Sequence, residues 1–105
     1  RLLKRMEIPK RFKIANTEYE VQVVDKSDDG NYGYHNDIRR KIVVAKSMDD
    51  EGKIVQLTEQ QIENTFWHEL FHCFQFFYNN KQDEALAQSF ANFMCEYRAT
   101  RAYEL

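Results

Sequence analysis

The sequence predicts an α+β fold: a small, mostly antiparallel sheet in the N-terminal half, packed on two long helices in the C-terminal half. Three observations lead there. Apolar and polar residues alternate through residues 12–46, in short runs separated by clusters of Asn, Asp, Ser and Gly. From Thr58 onward a capping signature opens a long run that no proline interrupts. One polar break, Asn79-Asn80-Lys81, divides that run into two helices.

Phe12-Lys13-Ile14 reads as a short alternating strand, and Ala15-Asn16-Thr17 as a turn. Glu18 to Val24 is a longer strand, with Tyr19, Val21 and Val23 on one face and Glu18, Glu20 and Gln22 on the other. Asp25 to Asn31 is rich in Asp, Ser and Gly and reads as a loop. Tyr32-Gly33-Tyr34 suggests a short strand and His35-Asn36-Asp37 a turn. Ile38 to Lys46 contains Ile42-Val43-Val44-Ala45, a strand with apolar residues on both faces. Met48 to Lys53 reads as an acidic, glycine-containing loop.

Thr58-Glu59-Gln60-Gln61 is a capping box, in which the Thr58 hydroxyl and the Gln61 side chain satisfy free N–H groups at a helix start. The first helix is expected from about Glu59 to about Tyr78, and the second from Gln82 or Asp83 to about Ala102. Near its middle the first helix is apolar almost all round: Phe66, Trp67, Leu70, Phe71, Phe74, Phe76 and Phe77. Such a helix is expected to be buried, with the sheet on one side and the second helix on the other.

At 105 residues, the chain has room for one domain with a modest core, so residues 1–105 are read as a single unit. Fifteen basic residues against seventeen acidic ones leave a net charge of -2, which gives no electrostatic reason to expect a nucleic-acid or membrane partner. The basic residues of the Arg1–Arg11 segment suggest a solvated, flexible terminal stretch rather than a binding arm. Met6, before Glu7-Ile8-Pro9, is a candidate initiator. Leu2 and Leu3 are too few for a signal-peptide core, and no run is apolar enough to span a membrane. Cys73 and Cys95 fall at apolar helical positions without metal-ligand spacing. They read as reduced, buried thiols, and a cytoplasmic location is expected.

His68-Glu69-Leu70-Phe71-His72 carries the chemistry. Residues four apart lie on one helix face, so His68 and His72 can bind one zinc ion together, with Glu69 beside it. A catalytic zinc takes three protein ligands and keeps one position open. Glu84, in the first turn of the second helix, is the best candidate for the third ligand. Asp83 is its nearest rival, and Glu96 and His35 are less well placed. A zinc ion acidifies a water and polarises a scissile carbonyl. Glu69 then serves as general base and returns the proton to the leaving amine. His35, Tyr34 and Tyr97 are candidates to stabilise the oxyanion. Gln88, one turn after Glu84, is placed to hydrogen-bond a ligand histidine.

The flanks extend the motif: Thr65 and Phe66 before it, Cys73 and Phe74 after it. With Glu84-Ala85-Leu86-Ala87-Gln88-Ser89-Phe90-Ala91 following, the chain resembles the gluzincin-type zinc metallopeptidases. Within these it is similar to the ImmA/IrrE-like peptidases and the minimal single-domain gluzincins. The resemblance covers about Thr58 to Tyr97. It implies a zincin-like core, zinc ligands at His68, His72 and Glu84, a general base at Glu69, and a protein or peptide substrate. Phe71 stands where many members have glycine, Gln88 where many have aspartate, and Met94-Cys95-Glu96-Tyr97 replaces the usual helix ending. SprT-like proteases are less similar, since they need a third histidine and none follows His72.

The leading expectation is a small zinc endopeptidase that holds an extended substrate along an exposed strand, Ile38–Lys46 or Glu18–Val24. The alternatives are a non-catalytic interaction module stapled by zinc and a zinc hydrolase with a non-peptide substrate. The module does not account for Glu69, because a staple needs only the ligands.

Overall fold

The structure is a computed structural model that describes residues 6–79 and 81–104. It is α+β, with a five-stranded, mostly antiparallel sheet followed by two helices. The strands are β1 (Arg11–Ile14), β2 (Thr17–Lys26), β3 (Gly33–Asn36), β4 (Lys41–Asp50) and β5 (Lys53–Gln56). The helices are α1 (Glu59–Phe74), extended by a π-helical turn over Gln75–Asn79, and α2 (Glu84–Glu104). Among the described residues, no helix is long and apolar enough to cross a membrane.

The strand order is β1-β2-β4-β3, with β5 also paired to β4. Three pairings are antiparallel, but β2 and β4 run parallel, with Val21 opposite Ile42 and Val23 opposite Val44. The chain leaves β2, passes beyond the place β4 will take, returns as β3, and then turns into β4 between them. Residues 27–40 are long enough for the crossover that a parallel pair requires. Of the two strands expected to offer an exposed edge, Ile38–Lys46 is therefore interior, while Glu18–Val24 is covered by β1 only at its start. Ser47 pairs with Lys26 on one side and Gln56 on the other, so β5 lies along the same border of β4 as β3. The free borders belong to β1, β3 and β5, and to β2 beyond Val21.

Two-residue turns close the β1–β2 and β4–β5 hairpins. Ala15 and Asn16 both have positive φ, as do Glu51 and Gly52, which is the backbone of a type I′ turn. The second of these overturns the acidic loop expected at Met48–Lys53. Asp50 pairs with Lys53, and the chain there is a hairpin. The strand expected at Ile38 begins instead at Lys41. Ile38 is 92% exposed in a turn where the Asn36 side-chain oxygen accepts from the N–H groups of Ile38 and Arg39. His35, expected in that turn, is in β3.

Register decides what faces the helices. His35 pairs with Ile42 and Gly33 with Val44, so His35 and Gly33 share the face of Tyr19, Val21, Ile42 and Val44. That face packs on Phe66 and Cys73 of α1. The capping box forms as expected: Gln61 N–H donates to Thr58 Oγ1 and Thr58 N–H to Gln61 Oε1. Ala87, Ala91 and Cys95 of α2 are buried at successive turns, small side chains that let α2 lie close against its neighbour.

Burial of α1 is incomplete, contrary to expectation. Phe74, Phe76 and Tyr78 are exposed, because the sheet and α2 cover two sides of the helix and leave a third open. At the N-terminus, Met6 and Ile8 pack against the core and Val21 N–H donates to the Lys10 carbonyl. Residues 6–10 are thus part of the fold, while the expectation for residues 1–5 lies outside the described residues.

Gly33 brings β3 against α1. A Cβ there would meet the Val43 carbonyl oxygen and lie 2.8 Å from Thr65 Cγ2. Gly33→Ala is expected to destabilise the protein by about 1–3 kcal/mol through forced backbone displacement, which urea unfolding measures directly.

Candidate metal centre

Each side chain of the site is placed by a local feature of the sequence. The capping box starts α1 one residue before Glu59, and the four-residue spacing of His68 and His72 puts them on one face, about three to four turns later. The connection after the π-helical turn is short, so α2 starts beside the end of α1. Asp83 caps α2: its carboxylate accepts from Leu86 N–H, and its carbonyl accepts from Ala87 N–H. The rival ligand is therefore committed to the helix start, and Glu84 is the residue that reaches the histidines.

His68 Nε2 lies 3.1 Å from His72 Nε2 and 3.0 Å from Glu84 Oε1. His72 Nε2 is 2.9 Å from Glu84 Oε2. The far ring nitrogens point to amide oxygens: His68 Nδ1 is 3.0 Å from Gln88 Oε1, and His72 Nδ1 is 3.1 Å from Gln75 Oε1. An amide oxygen accepts only, so both Nδ1 atoms carry protons. The two Nε2 atoms are then left facing each other and a carboxylate. Three acceptors in mutual contact require a proton or a cation among them.

Gln88 is oriented by its neighbours. Its Nε2 donates to Asn64 Oδ1 and Asn92 Oδ1, at 2.8 and 2.9 Å, which leaves Oε1 for His68. Glu84 is held below its ordinary carboxyl range. Burial raises its pKa, but the hydrogen bond with His68 and the charge on His72 together outweigh that. His72 is buried, whereas the Glu84 side chain is 78% exposed, so one side of the cluster is open.

Glu69 stands beside the three rather than among them. Its Oε1 accepts from His35 Nδ1 at 2.7 Å. The His35 ring stacks on His72, with centroids 5.0 Å apart. His35 Nε2 faces Asp37 Oδ2 at 3.5 Å, and Asp37 Oδ1 accepts from the buried Tyr19 hydroxyl at 2.7 Å. Burial would depress the His35 pKa, but Glu69 and then Asp37 outweigh it and raise the imidazole above its usual value. Burial and the bond to Asp37 push the Tyr19 phenol well up. The sequence marks His35 as a candidate but not its tie to Glu69, and neither Asp37 nor Tyr19 carries a local signal for this line of contacts.

The other candidates are not brought in. Tyr34 pairs with Val43, so strand alternation turns it to the face opposite His35. Glu96 and Tyr97 lie twelve and thirteen residues beyond Glu84, roughly 18–20 Å along a helix. His35 meets Glu69, not the Nε2 atoms of His68 and His72. Cys73 and Cys95 are buried free thiols. Burial, with Asp37 near Cys73 and Glu63 near Cys95, keeps both protonated, Cys95 with a pKa of about 11. A cleft of about 650 Å³ runs past His68 and Glu69, walled by Tyr32, Gly33, Asn64, Thr65 and Gln88. Tyr32, which the sequence offers only as a strand residue, is the tyrosine lining it.

Tyr19→Phe removes the one hydrogen bond that Tyr19 gives Asp37 beneath the site. A loss of about 1–3 kcal/mol in denaturant unfolding is expected, the cost of a desolvated acceptor left unpaired. No protein-family model matches this chain, and neither the curated proteins nor the solved structures compared with it give a match.

Proposed function

We propose that this chain is a zinc-dependent hydrolase of peptide bonds, of the gluzincin kind, acting on a protein or peptide substrate. The observation that carries the reading is the convergence of His68, His72 and Glu84 with a carboxylate, Glu69, beside them at the edge of a cleft. The donor set suits zinc: two imidazole nitrogens and a carboxylate, with a fourth side open. Zinc ligands at about 2.0–2.1 Å in a tetrahedron are spaced about 3.3–3.4 Å apart. The three donor atoms here need to spread by only a fraction of an ångström to reach that spacing.

When bound, zinc supplies a Lewis acid that acidifies a water and polarises a carbonyl. The chain's own residues do the rest. Glu69 takes the proton from the attacking water and returns it to the departing amine. His35 donates to one Glu69 oxygen and leaves the other for the water. The stacking of His35 on His72 fixes the distance between base and ligands. An extended substrate would lie along β3, the border strand beside α1, by strand addition. Gly33 keeps that stretch of the cleft free of a side chain. This replaces the two strands considered from the sequence.

Elemental analysis of the purified chain is expected to find one zinc per molecule, and Glu84→Ala to lower the affinity. Glu69→Gln is expected to keep the metal and lose about 10²–10⁴-fold in hydrolysis of a fluorescent unfolded protein. Equal turnover by the variant sinks the general-base role. Bound zinc with no turnover in either form makes the chain a zinc-stapled module instead. Comparing new protein termini in a lysate treated with wild type or Glu69→Gln identifies the substrate.

A further inference from the structure

Gln75 is completely buried, and its side-chain nitrogen has no hydrogen-bond partner. A buried amide with an idle NH₂ is unfavourable, and a leucine or methionine would avoid that penalty. The oxygen of the same amide has two partners. It accepts from His72 Nδ1–H at 3.1 Å and from the backbone N–H of Asp83 at 3.3 Å. The Asp83 N–H can only donate, so it fixes which end of the amide is oxygen. That oxygen in turn fixes the proton on His72 Nδ1 and leaves Nε2 bare. On the other side of His72, Gln82 Nε2 donates to the His72 carbonyl at 3.2 Å. Both contacts tie the segment just before Glu84 to the histidine that shares its site.

We propose that Gln75 is a positioning residue of the metal centre: one carbonyl oxygen sets the His72 tautomer and the start of α2 together. The second and third ligands are thereby placed by the same atom. The π-helical turn that begins at Gln75 belongs to this device, because it widens the end of α1 where the amide must turn inward. The inference rests on the zinc reading, and the test separates the two.

Zinc affinity of the full chain is measured by competition with a chromogenic chelator. Gln75→Met, similar in size but without the acceptor, is expected to weaken binding about 10–100-fold, the usual range for loss of a ligand histidine's outer partner. Gln75→Glu keeps an oxygen for both donors and is expected to stay close to wild type. In a Glu84→Ala background the effect of Gln75→Met is expected to shrink, since there is no third ligand left to place. Unchanged affinity in Gln75→Met, an equal loss in Gln75→Glu, or full additivity with Glu84→Ala overturns the proposal and leaves the zinc reading standing. A wild type that does not bind zinc overturns both. If Gln75→Met fails to fold, the ¹⁵N imidazole spectrum of the metal-free wild type decides. A proton on His72 Nδ1 supports the proposal, and one on Nε2 overturns it.

Discussion

Two imidazole nitrogens and a carboxylate meet at the junction of α1 and α2, all three presenting lone pairs. Around them the fold supplies acceptors to the far sides of the rings, the amide oxygens of Gln75 and Gln88, which take the Nδ1 protons. Among the described residues, no donor is placed on the near side. The arrangement is unfavourable above all for His72, whose buried Nε2 has given up water, while the exposed Glu84 carboxylate keeps one side of the cluster open to solvent. The neighbouring contacts make sense as the framework that keeps these atoms facing one another. Asn64, Gln88 and Asn92 interlock across the two helices, and the small buried residues of α2 bring its axis close enough for Glu84 to reach His72.

Much of this was legible in the sequence, and for definite reasons. The four-residue spacing of His68 and His72 needs only helical geometry, and Thr58 with Gln61 supplied the helix start. Glu84 was legible because a short break between helices leaves its first turn little freedom of position. In the sheet, the alternation of Tyr19, Val21 and Val23 gave the faces of β2, but a period of two says nothing about which strand lies alongside. The parallel pairing of β2 with β4 is a long-range choice that local alternation does not encode. The same ignorance made the interior strand β4 look like an edge. The hairpin at Glu51-Gly52 was missed because Asp-Asp-Glu-Gly has the composition of a loop, while its conformation is a tight two-residue turn.

The line Tyr19–Asp37–His35–Glu69 was not legible at all. Its members come from β2, the β3–β4 turn, β3 and α1, and each contact is set by register. A shift of β3 by one residue would send His35 to the opposite face and bring in Tyr34. His35 had been assigned to a turn, where its direction has no consequence. In a strand its direction follows from its partner, Ile42, which must face the core. The hydrophobic demand of Ile42 and Val44 thus orients the histidine that holds Glu69, a case in which packing fixes a polar contact.

β3 has only four residues, and two of its positions face α1. His35 fills one and touches both Glu69 and His72. Gly33 fills the other and leaves no side chain between Thr65 and the cleft. A larger residue at Gly33 would meet the β4 backbone and Thr65, and would also narrow the place where an extended chain could pair with the border of β3. A larger residue in place of His35 would break the contact to Glu69. The strand therefore has no position on this face that can change without affecting either the base or the cleft. On the proposed reading, selectivity among substrates comes from elsewhere, and the remaining cleft wall is made of neutral side chains: Asn31, Tyr32, Thr58, Gln60, Gln61, Asn64, Thr65 and Gln88. Asn64 and Gln88 are also occupied in orienting His68. On the proposed reading, a change there made to alter substrate preference would disturb the histidines as well. Thr58 and Gln61 hold the helix start, and Thr65 is buried beside Gly33. That leaves Asn31, Tyr32 and Gln60 as the wall positions freest to vary.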